Sequence, residues 1–91
     1  MRIAGEIAHP RFKITLFKMN TRWSVKIEDG MLEQTYKFRT QDGLSSAEAL
    51  KARIGDEFLR SVEALFAQME TMRSGLLPEA EDGGGEFPEI I

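Results

Sequence analysis

From Arg2 to Thr40 apolar and polar residues alternate, and the turn-forming pairs that interrupt the alternation fall where they keep the apolar sets on one side. This constrains the fold severely. Side chains of a strand alternate between faces, so slipping one strand by a single residue would invert its apolar set. Two-residue turns at His9-Pro10, Asn20-Thr21 and Asp29-Gly30 divide the segment into four strands. Asp-Gly is a strong hairpin signal, Asn-Thr a weaker one and His-Pro the weakest. With these turns Ile7 pairs with Phe12, Ile3 with Leu16, Leu16 with Val25 and Ile14 with Ile27. Lys18 pairs with Trp23, Ile27 with Leu32 and Trp23 with Tyr36, and all these pairs share one face. Gln34 and Lys18 are the polar exceptions on that face; Lys18 can lay its stem along Trp23 and keep its ammonium in water.

The period then changes. Ala47, Leu50, Ile54, Phe58, Val62, Leu65, Met69 and Met72 are spaced by threes and fours and trace one helical stripe over residues 45–73. Ser45 followed three residues later by Glu48 reads as a capping box, and Gly75 with Pro78 as the stop. The expected architecture is α+β: a four-stranded antiparallel β-meander, then one long C-terminal α-helix packed on one face (ββββα). It makes a single domain over residues 1–75. Residues 76–91 read as a flexible, disordered acidic tail that ends in Phe87-Pro88-Glu89-Ile90-Ile91.

Charge divides the chain in the same way. Residues 1–40 hold eight Lys/Arg against four acids, and residues 41–91 hold four against eleven, giving the net charge of −3. On the outer face of the sheet the expected register sets Glu6 opposite Lys13, Lys13 opposite Glu28 and Lys26 opposite Glu33, which neutralises one end. At the other end Arg2 lies opposite Phe17, Met19 opposite Arg22 and Arg22 opposite Lys37, with Arg39 beyond. Cations beside an exposed ring suit single-stranded DNA or RNA: the cations track phosphates and the ring stacks a base. Arg2, Phe17, Met19, Arg22, Lys37 and Arg39 are therefore the nucleic-acid-binding candidates of a small non-enzymatic binding module. A pI of 5.2 sets a limit on the strength of such binding. The alternative is a protein-interaction or assembly domain with no nucleic-acid role.

Other chemistries lack their parts. One His and no Cys give no metal site, and His9 before Pro10 reads as a turn residue. No Ser has a supporting base motif, and Gly83-Gly84-Gly85 is not followed by the Lys-Ser/Thr of a phosphate loop. No catalytic residue and no cofactor is expected. No apolar run approaches the ~18 residues of a membrane helix, so the expectation is a cytoplasmic protein with no membrane partner.

A homodimer is expected as well. A helix of about 28 residues is roughly 42 Å long, whereas strands of about nine residues span only ~30 Å. The overhanging turns would carry Phe66, Met69 and Met72, and Leu59 and Phe66 lie to one side of the main stripe; these four are the expected dimer interface. The Phe87–Ile91 end offers a site for a partner protein. The order of elements across residues 2–73 resembles the repeat unit of the PUR-type and Whirly-type single-stranded nucleic-acid-binding proteins, which usually work as paired units. The acidic tail is similar in style to the C-terminal tails of bacterial single-strand-binding proteins, which recruit partners through an acidic apolar tip. Neither resemblance carries a binding residue over to this chain.

Overall fold

The computed structural model describes residues 2–78. Strands β1 (Arg2–Ile7), β2 (Lys13–Met19), β3 (Arg22–Asp29) and β4 (Leu32–Arg39) form an antiparallel sheet in sequential order. A single 3₁₀ turn (Thr40–Asp42) leads to helices α1 (Ala47–Arg53) and α2 (Asp56–Ser74). The helices cover the inner face, where Ile14, Leu16, Trp23, Val25 and Ile27 meet Leu50, Val62 and Phe66 in one core. The four-stranded meander followed by a long helix is thus the architecture the alternation predicts.

The β2–β3 register is the expected one, with Leu16 opposite Val25, Ile14 opposite Ile27 and Lys18 opposite Trp23. Asn20 takes the positive φ of 51° that this turn requires, and Asn is among the few residues that adopt it cheaply. The other two hairpins differ from expectation by two residues each. In β3–β4 the turn residues are Gly30-Met31 rather than Asp29-Gly30, so Ile27 faces Gln34 and Trp23 faces Phe38. Gly30 carries the positive φ of 63° while Met31 does not, which is the II′ rather than the I′ arrangement. Asp29 stays in the strand, where its carboxylate takes the Arg11 guanidinium at 3.0 Å.

Between β1 and β2 the chain makes a five-residue loop, Ala8–Phe12, so Ile7 faces Ile14 and not Phe12. Pro10 cannot supply the second positive φ of a tight I′ turn. The His9 ring closes the wider loop: its Nδ1 accepts the backbone N–H groups of Arg11 (3.1 Å) and Phe12 (3.0 Å), and the ring stacks on Phe12. A shift of two residues preserves the strand faces, so the inner set survives both corrections.

One irregularity does not preserve them. Ile3 pairs with Phe17 but Gly5 pairs with Leu16, so Ala4 is an extra residue in a bulge. Beyond it the faces of β1 exchange. Gly5 sits beneath α1, where an added Cβ would come within 3.1 Å of Lys51 Cε.

The expected single helix is broken. Ile54 and Gly55 separate α1 from α2, with Gly55 in extended backbone as the N-cap of α2. Ser46, not Ser45, caps α1: its hydroxyl accepts the Ala49 N–H at 3.1 Å. Nineteen residues give α2 a length of about 28 Å at ~1.5 Å each, close to the ~26 Å of an eight-residue strand at ~3.3 Å each. The mismatch in length behind the expected overhang is therefore small. Gln34, the polar residue on the inner face, fastens α2 to the sheet: its Nε2 donates to the Val62 carbonyl at 3.1 Å, and Tyr36 donates to its Oε1 at 2.6 Å. Arg11 adds a second fastening by reaching Glu63 at 3.0 Å.

Candidate nucleic-acid interface

The observed register sorts the outer face into rows. At the end near the β1–β2 and β3–β4 turns, Lys13 faces Glu28, Glu28 faces Glu33, and Lys26 lies between Glu6's partner Thr15 and Thr35. Lys26 reaches Glu28 at 3.9 Å and Glu33 diagonally at 3.8 Å, so this end neutralises itself. Thr15 lies buried at the centre of the face.

Toward the other end the next row is Ile3, Phe17, Ser24 and Lys37, and the last is Met19, Arg22 and Arg39. These two rows hold three cations and no acid. Arg22 is directly opposite Arg39 rather than Lys37, and like charges in that position oppose pairing. Arg39 finds relief in the 3₁₀ turn, where Asp42 Oδ1 lies 3.7 Å from its guanidinium and Asp42 Oδ2 accepts its backbone N–H at 2.9 Å. Arg22 and Lys37 have no ion-pair partner among the described residues. Beside them Phe17 is half-buried, while Met19 and Ile3 are exposed.

Five of the six candidate residues, Phe17, Met19, Arg22, Lys37 and Arg39, therefore share one end of one face. Arg2 does not join them. The bulge at Ala4 turns it to the inner face opposite Lys18, and there the two cations border a shallow hollow with Met19 and Asn20. Lys18 lies over the Trp23 ring at 5.2 Å, the placement its stem needs to shield the indole. Ile3 takes the place Arg2 was expected to fill. Strict alternation assigns Ile3 inward, and nothing in the sequence announces the extra residue.

The residues expected at a dimer interface separate. Phe66 is 2% exposed and packs its ring 5.4 Å from Phe12, so it belongs to the core of one chain; the expectation that a monomer leaves it in water is wrong. Leu59 and Met69 are half-buried against the same core, and Met72 is exposed. Leu76 and Leu77 are exposed too and do not fold back over the helix end. Residues 79–91, with the acidic run and the Phe87–Ile91 end, lie outside the described residues.

Among the described residues no three His, Asp or Glu side chains gather as metal ligands, and no helix is long and apolar enough to cross a membrane. Comparison with known proteins gives no match to a protein family, a curated protein or a solved structure.

Proposed function

We propose that this chain is a non-enzymatic module that binds single-stranded nucleic acid on the outer face of its sheet. The observation that carries this reading is the acid-free pair of rows holding Arg22, Lys37 and Arg39 beside Phe17, Met19 and Ile3. Opposing two arginines across a strand pair costs stability and is recovered when an anion lies between them. Single strands expose bases whose faces stack on a ring such as Phe17, whereas a duplex hides them. Residues 2–78 hold twelve Lys/Arg against ten acids, and the remaining negative charge sits in residues 79–91. The body of the protein is thus mildly basic even though the chain is acidic. Binding of this kind is modest in affinity and sensitive to salt, and a cytoplasmic setting suits it.

The test is fluorescence anisotropy with labelled oligothymidine and oligouridine in low salt. Phe17→Ala is expected to weaken binding by roughly 1–3 kcal/mol through lost stacking. Unequal affinity for the two oligomers distinguishes DNA from RNA as the preferred ligand. Unchanged affinity in both Phe17→Ala and Arg22→Ala would refute this reading of the face.

A further inference from the structure

His9 is the sole histidine and there is no Cys, so it is the one side chain that ordinarily changes charge between about pH 5 and 7.5. Its place in the β1–β2 loop makes that charge matter. His9 Nδ1 accepts two backbone N–H groups at once, from Arg11 at 3.1 Å and from Phe12 at 3.0 Å. Only an unprotonated nitrogen accepts, so the loop in this form requires a neutral ring with its proton on Nε2. A second proton, on Nδ1, would aim an N–H at two other N–H groups and cancel both hydrogen bonds.

The charges around the ring do not offset that loss. The hollow between this loop and the start of α2 is bordered by His9, by Arg11 and Arg60, and by Asp56 and Glu63, two cations against two acids. Arg11 is itself engaged by Asp29 on β3 and Glu63 on α2, at 3.0 Å from each. The His9 ring stacks on Phe12 with centroids 4.7 Å apart, and the Arg11 guanidinium already lies 5.1 Å from the Phe12 ring centre. An imidazolium would be a second cation on the same aromatic ring.

The two residues whose amides His9 holds are the ones that join the loop to α2. Phe12 is buried against Phe66, and Arg11 reaches Glu63. We propose that His9 is a pH-sensitive latch: its neutral ring closes the β1–β2 loop, and its protonation on acidification releases that loop together with the Arg11 bridge to α2. The Gln34–Val62 hydrogen bond contains no group that titrates in this range, so α2 stays joined to the sheet there and loosens at the loop. The neutral ring holds the latch, while the unfolded chain is free to take up the proton. The stabilisation is therefore complete above about pH 7 and is lost as pH falls below the ~6.5 of a free imidazole. Carboxylates titrate lower, near ~4, outside this window. The loop lies at the end of the sheet away from Arg22, Lys37 and Arg39, so the latch stands apart from the nucleic-acid reading.

Asparagine separates the acceptor from the proton. An Asn before Pro accepts nearby backbone N–H groups through Oδ1 in an Asx turn and does not titrate. Urea unfolding followed by helix circular dichroism is to be compared at about pH 7.5 and about pH 5.5, which bracket the free imidazole. The unfolding constant of the unsubstituted chain is expected to rise by up to about tenfold on this acidification. His9→Asn should show a rise of less than about twofold, and His9→Ala should be destabilised at both pH values. Amide exchange of Arg11 and Phe12, corrected for its intrinsic rate, should accelerate on acidification in the unsubstituted chain. Nitrogen NMR of the neutral ring should place its proton on Nε2. A flat pH response in the unsubstituted chain would overturn the proposal, as would the same rise in His9→Asn. So would a His9→Ala variant as stable as the unsubstituted chain at the higher pH. A neutral ring with its proton on Nδ1 would overturn it even if neither variant folds.

Discussion

Replacing Phe66 by Ala separates a core role from an interface role. Phe66 is the largest of the fully buried side chains, and its ring tilts by 51° against Phe12. Phe→Ala in a packed core costs about 3–5 kcal/mol, from lost transfer energy and from the cavity left behind. A domain of this size is stable by only ~4–12 kcal/mol, taking ~0.05–0.15 kcal/mol per residue. The substitution is therefore expected to remove a large share of the total, or all of it. Trp23 is the sole Trp and is buried, so its fluorescence reports urea unfolding, with helix circular dichroism as a second probe. The midpoint should fall with little change in slope. If Phe66→Ala does not fold, Phe66→Leu should still fold with a smaller loss. Combined with Phe12→Ala, a coupling of about 0.5–1.5 kcal/mol is expected from the ring pair. A loss below ~1 kcal/mol, independent of Phe12 but dependent on protein concentration, would refute the reasoning and return Phe66 to an interface.

Two further outcomes test local structure. Ser46→Ala should cost about 1 kcal/mol by removing the hydroxyl that caps α1, whereas Ser45→Ala should be nearly neutral in the same urea assay; equal effects would contradict the assigned cap. Gly30→Ala should cost about 1–2 kcal/mol because a Cβ disfavours its positive φ, and a neutral result would contradict the Gly30-Met31 turn.

The sheet was legible because its errors were even. Misjudging two hairpin registers by two residues left Trp23, Val25, Ile27 and Tyr36 on the correct face, since strand periodicity repeats every second residue. The bulge at Ala4 is an odd error, and it alone moved a candidate residue, exchanging Arg2 for Ile3 on the outer face. A bulge of this kind is fixed by what packs above it, here α1 with Lys51 against Gly5, and that contact lies 46 positions along the chain. The His9 cap on the first loop was hidden for a similar reason: a ring nitrogen accepting two backbone N–H groups leaves no pattern in the sequence. The helix break was signalled by Gly55, but the apolar spacing runs through it unbroken and argued for continuity. Periodicity reported where α2 is apolar, not which of its two apolar strips the sheet would take. That choice depends on the Gln34–Val62 hydrogen bond and the Arg11–Glu63 pair, both long-range contacts.

The salt dependence of oligonucleotide binding tests the central claim most directly. Arg22, Lys37 and Arg39 can neutralise about three phosphates. The logarithm of the binding constant for a single strand should then fall with the logarithm of salt concentration at a slope near −2, at about −0.7 per phosphate. Arg22→Ala should flatten that slope by about 0.7. No binding in low salt, or a slope that Arg22→Ala leaves unchanged, would contradict the account.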